Sequence, residues 1–517
     1  MLARPDLRLA SCSSLFVGLL GVVGLAALTT ACSGNDTASS TGATEGTSSS
    51  TTEASTAGSS ATTDDATSTT TTTGGASDSA TTGTTGATST TTTGSETTAA
   101  TESTTTTTGD ATTGTTGGSD GFLVGVDVID ISPTMAQIDK QDIYMGAYGA
   151  PYTRGAAKGV HDPIYVRSMA IEADGVGFVM AIVDLPGMGN QNTRAIRSMV
   201  AQMSDLEEAQ VLVGTTHTHS SPDLMGLWGG VPDSYRDQIN EQTALSMVAA
   251  WEAREDAELF VASGTAPNRN RRGWEFTDDA MIVLDARDLE GARIGTLVNF
   301  AAHPIFLGED NKEISCDYPG FMVKALEAEL GAPVALFNGT LGDASPKLEG
   351  DFDSDFDKAA AYGELLAGIA GGLVAEAEAI EPLVVLDYAE WTQDVDNFLF
   401  QLAAQLGILQ FDFEMNGLSQ EVTTQSAYFR LGTSVQGVAF PGESLTRNGL
   451  AIKEGMKAPH RMILGNTGDA LGYFVPSDEW KTGKNDDYEE SVSLGKTAGD
   501  AARDAILEMV AVDNDAF

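Results

Sequence analysis

The sequence predicts an α/β fold, with a mixed β-sheet core and helices packed on it. Short apolar runs rich in β-branched residues alternate with longer stretches of helical period, and no repeat of 20 to 50 residues marks a solenoid or propeller. Length is the third observation. Of 517 residues, 121–517 have the composition of a folding unit, long enough for one large domain or two intimate ones with a sizeable core.

The chain ahead of that unit reads differently. Residues 1–31 resemble a secretory leader: Arg4 and Arg8 precede an apolar run over 15–28, shorter than the roughly 20 residues a membrane span needs. The leader ends in Leu28-Thr29-Thr30-Ala31-Cys32, which is similar to a bacterial lipobox. Cys32 is therefore expected to carry lipid, with ordinary cleavage nearby as the alternative. Ser33, in place of the aspartate that retains lipoproteins in the inner membrane, favours an outer-membrane anchor. Residues 32–120 follow as a tether of Thr, Ser, Gly and Ala with scattered acids, expected to be disordered because it has no apolar side chain large enough to offset the entropy of ordering.

Within 121–517, strands are predicted over 122–131, 178–184, 209–219, 259–264, 281–286, 295–302, 334–338, 383–388 and 434–440. Each is a short run of β-branched or aromatic residues bounded by polar or glycine-containing segments. Helices are predicted over 193–203, 234–254, 320–330, 354–379, 445–456 and 488–510, where apolar residues recur at three and four.

The formal charge of −45 argues against a nucleic-acid partner, because phosphate backbones would repel such a surface. No obligate protein partner is indicated. With Cys12 in the leader and Cys32 expected to carry lipid, Cys316 stands alone, and no disulfide within one mature chain is available.

The five histidines are the informative scarcity. His217 and His219 follow the apolar run at 211–213, and a strand period of two would aim both from one face, as metal ligands or as one ligand beside one acid or base. His303 closes a second strand before Pro304. The helical HExxH arrangement is absent. A third strand runs into Gly342-Asp343-Ala344-Ser345-Pro346, a turn expected to expose the Ser345 hydroxyl, and a fourth delivers Glu443 just before a helix, as a ligand or as an acid favoured in a first helical turn. His161 is read as structural, with a contact at the rim of the site as the alternative, and His460 as a surface residue.

Taken in order, THTHSSP at 216–222, NRN at 268–270, AHP at 302–304, GDASP at 342–346, PGES at 441–444 and YFVPSDEW at 473–480 resemble the catalytic domain of the neutral ceramidase family. The resemblance implies a zinc-dependent amidohydrolase that splits ceramide, an N-acylsphingosine, into fatty acid and sphingoid base. It implies Zn²⁺ held by His217, His303, Glu443 and Tyr473. By the same resemblance His219 faces the substrate as proton donor or hydrogen-bond partner, Arg269 contacts the substrate near the scissile amide, Gly146 lines the pocket, and Tyr488 matches a second active-site tyrosine. Ser345 matches the serine treated as nucleophile, with a zinc-activated water as the alternative attacking group. Two departures concern the substrate: only 98 residues separate Ser345 from Glu443, fewer than is usual in the family, and Asn270 stands where the family has Ser. A zinc hydrolase of another acyl amide or ester, and a non-catalytic surface binding lipoprotein, are the competing expectations.

Overall fold

Strand Phe122–Asp130 alternates buried and partly exposed residues and occupies the middle of a nine-stranded mixed sheet. In a computed structural model of the chain, which describes residues 121–149, 151–417 and 419–517, the strand order is Val334–Asn338, Arg293–Phe300, Ala280–Asp288, Glu255–Thr265, Phe122–Asp130, Tyr165–Ala173, Val176–Val183 and Val211–Thr215, with Glu378–Ala379 pairing beside Glu255–Thr265. The expected leader 1–31, the tether 32–120 and Cys32 lie outside the described residues. Only the outermost pairs, Arg293–Phe300 with Val334–Asn338 and Val176–Val183 with Val211–Thr215, are parallel. Both terminal strands are buried at every position, which is why each opens on an apolar run in sequence, VLV at 211–213 and VALF at 334–337.

Two helix pairs cover one face. Asn190–Met203 and Asp233–Glu252 bury Ile196, Val200, Ile239 and Met247 against Val166, Val179 and Val211. Asp317–Leu330 and Asp355–Glu376 bury Met322, Leu326, Tyr362 and Leu366 against Val283, Val298 and Leu336. The opposite face meets no helix among the described residues. It packs on a second, five-stranded sheet ordered Val384–Asp394, Ser419–Leu431, Val435–Ala439, His460–Leu464, with Glu414–Asn416 beside Ser419–Leu431. Phe178 and Phe429 meet across this seam with ring centroids 5.2 Å apart, and burying each is worth about 1.5–3 kcal/mol. Helices Thr446–Gly455 and Ala498–Asp513 close the outer face of the second sheet through Ile452, Ala502 and Ile506. The layers thus run helix, sheet, sheet, helix, rather than one sheet with helices packed on it.

The predicted helix over 488–510 is two helices, Tyr488–Ser491 and Ala498–Asp513. The Val492 carbonyl accepts from the Tyr473 amide at 3.0 Å, and the Leu494 carbonyl accepts from the amides of Asp396 and Asn397, so this stretch spends its carbonyls outside any helix. Among the described residues no helix is long and apolar enough to cross a membrane.

The two terminal strands of the large sheet approach each other at their C-terminal ends. Asn338 Nδ2 donates to the Thr216 carbonyl at 2.5 Å, and the loop at 466–468 lies alongside, with Thr215 N donating to Asn466 O at 3.1 Å. A Cβ on Gly214 would sit 2.4 Å from Thr467 Oγ1, so only glycine admits the loop there. Asp469 of this loop is buried between Thr193 Oγ1 (3.3 Å) and Thr424 Oγ1 (2.6 Å). Burial pushes its carboxyl up from 3.8 to about 7, against the opposing pull of the Thr424 hydrogen bond and Arg194. Between those values the folded chain holds a proton that the unfolded chain has released, so stability falls as pH rises from about 4 to 7 and levels above 7. The displacement is worth at most roughly 4 kcal/mol. Asp469→Asn should remove that part of the slope: its melting temperature relative to the parent should rise between pH 4.5 and pH 7.5, and a constant difference across that range would refute the assignment.

Candidate metal centre

Strand Val211–Thr215 ends two residues before His217, and His217 takes a left-handed φ of 61°. The period-two argument for aiming His217 and His219 together therefore does not hold, because neither residue is in a strand. The left-handed residue does the aiming instead: it turns the chain so that the Nε2 atoms of His217 and His219 lie 3.2 Å apart. His303, beyond Arg293–Phe300, brings its Nε2 to 3.2 Å from that of His217. All three rings are buried, and their ligand atoms lie within 4.8 Å of one another.

Glu443 and Tyr473 arrive by a different device. Glu443 belongs to no helix; strand Glu443–Ser444 pairs in parallel with Tyr473–Phe474, Glu443 directly opposite Tyr473. Glu443 Oε2 lies 3.4 Å from His217 Nε2 and 3.2 Å from His303 Nε2, and the Tyr473 hydroxyl lies 3.3 Å from His303 Nε2. Close backbone approach makes room for this. A Cβ on Gly342 would meet the Glu443 carbonyl at 2.7 Å, and one on Gly442 would meet the Gly472 carbonyl at 2.6 Å.

Protonation follows from the outer partners. His217 Nδ1 faces the Pro186 carbonyl at 2.5 Å and His303 Nδ1 faces the Leu341 carbonyl at 2.7 Å. A carbonyl only accepts, so each Nδ1 carries a hydrogen, and Nε2 is the atom of each ring left to present a lone pair to a metal when the ring is neutral. Burial, together with Arg271, lowers His303 to about 4, which keeps it neutral at pH 7. Burial would raise Glu443, but His217 and His303 outweigh it and hold the carboxyl well below its usual range. The Nε2 atoms of His217 and His303 and one Glu443 carboxylate oxygen thus converge at 3.2–3.4 Å, and Glu443 Oε2 is buried without a hydrogen-bond partner.

Such a set suits a cation. Tetrahedral zinc with bonds of about 2.0–2.1 Å requires donors about 3.3 Å apart, the spacing observed. His217 and His303 also have the carbonyl partner on the far ring nitrogen that orients metal-ligating histidines. His219 lacks one: its Nδ1 is buried with no partner. Burial, then His217 and His303, lowers it well below the usual range.

The remaining expected residues fall around this centre. Gly146 is forced by proximity, since a Cβ would lie 2.5 Å from Pro186 Cγ, and its carbonyl shares the buried Arg154 guanidinium with the His219 carbonyl. Tyr488 lies with its ring 5.8 Å from that of Tyr473. Ser345 is buried in strand Ala344–Pro346, antiparallel to Asn268–Asn270 and opposite Arg269, rather than exposed on a turn. Arg269 is exposed and lines a separate shallow cavity with Asn270, Trp274 and Lys347. The arginine that touches the centre is Arg271, whose Nη2 donates to the Tyr473 hydroxyl at 2.8 Å and to the Gly342 carbonyl at 2.7 Å. The sequence reading passed over it, and its only signal was its place one residue after the NRN motif. His161 sits exposed against Asp162 and Phe356, and His460 is bonded to Ser263 Oγ.

A cavity of about 510 Å³, counting its open mouth, leads to the centre. His217, His219, Glu443, Tyr473 and Tyr488 line its polar part; Met225, Leu227, Trp228, Phe400, Phe411, Leu471 and Val492 line the rest.

No protein-family profile matches the chain. It is 25% identical over 266 residues to a neutral ceramidase of Drosophila pseudoobscura pseudoobscura and 24% identical over 266 residues to that of Drosophila melanogaster, the matches covering 44% of this chain. Its fold superposes on the crystal structure of neutral ceramidase from Pseudomonas aeruginosa with a TM-score of 0.66 at 16% identity, over 77% of this chain and 75% of that one. The fold is neutral ceramidase-like. A ceramidase complexed with C2 superposes on the ceramidase-like domain with a TM-score of 0.62, also at 16% identity, over 77% of this chain and 76% of that one. The matched region spans 36% of the length of the two fly relatives.

Proposed function

We propose that the chain is a zinc-dependent amidohydrolase of the neutral ceramidase kind, cleaving the amide of an N-acylated sphingoid lipid into fatty acid and amine. The observation that carries this reading is a buried set of imidazole nitrogens and a carboxylate oxygen converging at 3.2–3.4 Å at the end of a largely apolar cavity. His217, His303, Glu443 and Tyr473 would hold the ion. When bound it supplies polarisation of the amide carbonyl and activation of the attacking oxygen.

The chain's own residues would do the rest. His219, neutral and with a vacant Nδ1, takes a proton from the attacking group and returns it to the departing nitrogen. Ser345 is the proposed nucleophile, water the alternative; its support is the adjoining Ala344 carbonyl, which accepts the His303 amide at 3.0 Å. Met225, Leu227, Phe400 and Phe411 offer the acyl chain an apolar wall and exclude water from the reaction.

Purified full chain should contain one zinc per molecule and release fatty acid from fluorescent ceramide, and Ser345→Ala should abolish release if serine attacks. Metal-free protein with undiminished turnover would sink the reading. Hydrolysis of N-acyl amino acids or acyl sugars without ceramide cleavage would instead favour a hydrolase of another acyl compound.

A further inference from the structure

Residues 397–411 contain no charged side chain, in a chain where 20% of residues are charged and the net charge is −45. The segment is not a core helix. Helix Phe398–Gln405 buries only Phe400, while Phe398 is 68% exposed, Leu399 39% and the following Leu406 43%. Its amino end is closed by the Asn397 side chain, which accepts from the amides of Leu399 and Phe400.

The other side of the segment joins the cavity. Phe400 and Phe411 line the path to His217 and Glu443. The backbone at 408–412 is pinned to the body: Gln410 N donates to Met225 O at 3.0 Å, Asp412 N to Asn190 Oδ1 at 2.8 Å, and a Cβ on Gly226 would meet the Ile408 carbonyl at 2.0 Å. One rigid segment therefore presents apolar side chains to solvent and to the cavity at once.

We propose that helix Phe398–Gln405, together with Leu406, is the face by which the domain seats on a lipid bilayer, so that a lipid leaves the bilayer directly into the cavity. The proposal rests on the reading of a lipid substrate and adds the route by which that substrate arrives. A capped helix with aromatic and aliphatic side chains outward is the element that lies in a bilayer interface. An acidic domain would be repelled by an anionic surface everywhere except where its own charge is missing. The preferred bilayer is therefore zwitterionic, and its capture is insensitive to salt.

The test uses the full chain carrying Cys32→Ala, so that lipid at Cys32 contributes nothing, and phosphatidylcholine vesicles without ceramide. Phe398→Asp with Leu406→Asp should weaken vesicle partition at least about tenfold, while Leu289→Asp, at a 65% exposed leucine on the turn after strand Ala280–Asp288, should leave it unchanged. Brominated phosphatidylcholine should quench the added fluorescence of a Phe398→Trp chain and not that of Leu289→Trp, which locates the contact whatever else binds. Adding phosphatidylglycerol should weaken binding, and 0.5 M salt should spare it. Equal quenching at both positions, binding abolished by salt, or a lipid-free dimer split by Phe398→Asp would each overturn the proposal, the last by making this face a site for a second copy. Turnover of a short-chain, water-soluble amide separates the two readings: it should survive Phe398→Asp with Leu406→Asp, and its absence in the parent would count against the amidohydrolase reading alone.

Discussion

Replacing His303 by alanine is expected to strip the metal from the purified chain and lower amide turnover by at least about 10³-fold. His303 Nε2 lies between the other donors, 3.2 Å from His217 Nε2, 3.2 Å from Glu443 Oε2 and 3.3 Å from the Tyr473 hydroxyl, so its removal opens one side of the set. His219→Ala should behave differently. With no carbonyl to orient its Nδ1, His219 is assigned to proton transfer, so that chain should keep its metal and lose about 10²–10⁴-fold in rate. Metal content by mass spectrometry, measured beside turnover, reads the two apart. A His303→Ala chain that retains one metal per molecule, or a His219→Ala chain that loses it, would reverse the assignment.

How far this centre was legible depended on what kind of information each residue carried. His217, His303 and Glu443 follow apolar runs and so announced themselves as ends of buried strands. What brings them together was not legible, because it resides in single backbone geometries: the left-handed φ at His217 and the two-residue pairing that sets Glu443 beside Tyr473. Strand Tyr165–Ala173 was missed for a related reason. Arg167 and Ser168 interrupt its apolar pattern, yet both are buried, Arg167 paired to Asp184 at 3.1 Å and Ser168 bonded to Ser246. Ser419–Leu431 was hidden likewise by Thr424, Gln425 and Arg430, buried polar residues whose partners Asp469, Arg197 and Asp513 lie far away in sequence. Pattern reading assumes that polar side chains face water, and it fails where a partner from another segment satisfies them inside. The second sheet was half hidden on that account, and with it the four-layer architecture.

Arg272→Met is expected to cost about 5 kcal/mol of folding stability, the upper end of the range for breaking one buried ion pair, because here one cation serves two carboxylates. The Arg272 side chain is fully buried, with Nη1 2.8 Å from Glu489 Oε2 and Nη2 3.1 Å from Glu490 Oε1, and those carboxylates are 0% and 1% exposed. Methionine fills much of the volume, takes the cation from Glu490 and leaves Glu489 with Arg271 alone. Adding Glu489→Gln and Glu490→Gln should recover most of the loss, since the penalty is uncompensated charge and not lost packing; denaturant unfolding of the four chains in a mutant cycle measures this. A cost below about 1 kcal/mol for Arg272→Met alone would show that water reaches the pair. The network also bears on the centre, because Glu489 accepts from Arg271 Nε at 3.1 Å while Arg271 holds the Tyr473 hydroxyl. The rescued triple variant should therefore fold and yet hold zinc less tightly by about 10–100-fold, the usual effect of losing an outer partner of a ligand. Stability and metal affinity would part company in that chain, which a purely structural role for the arginine pair does not allow.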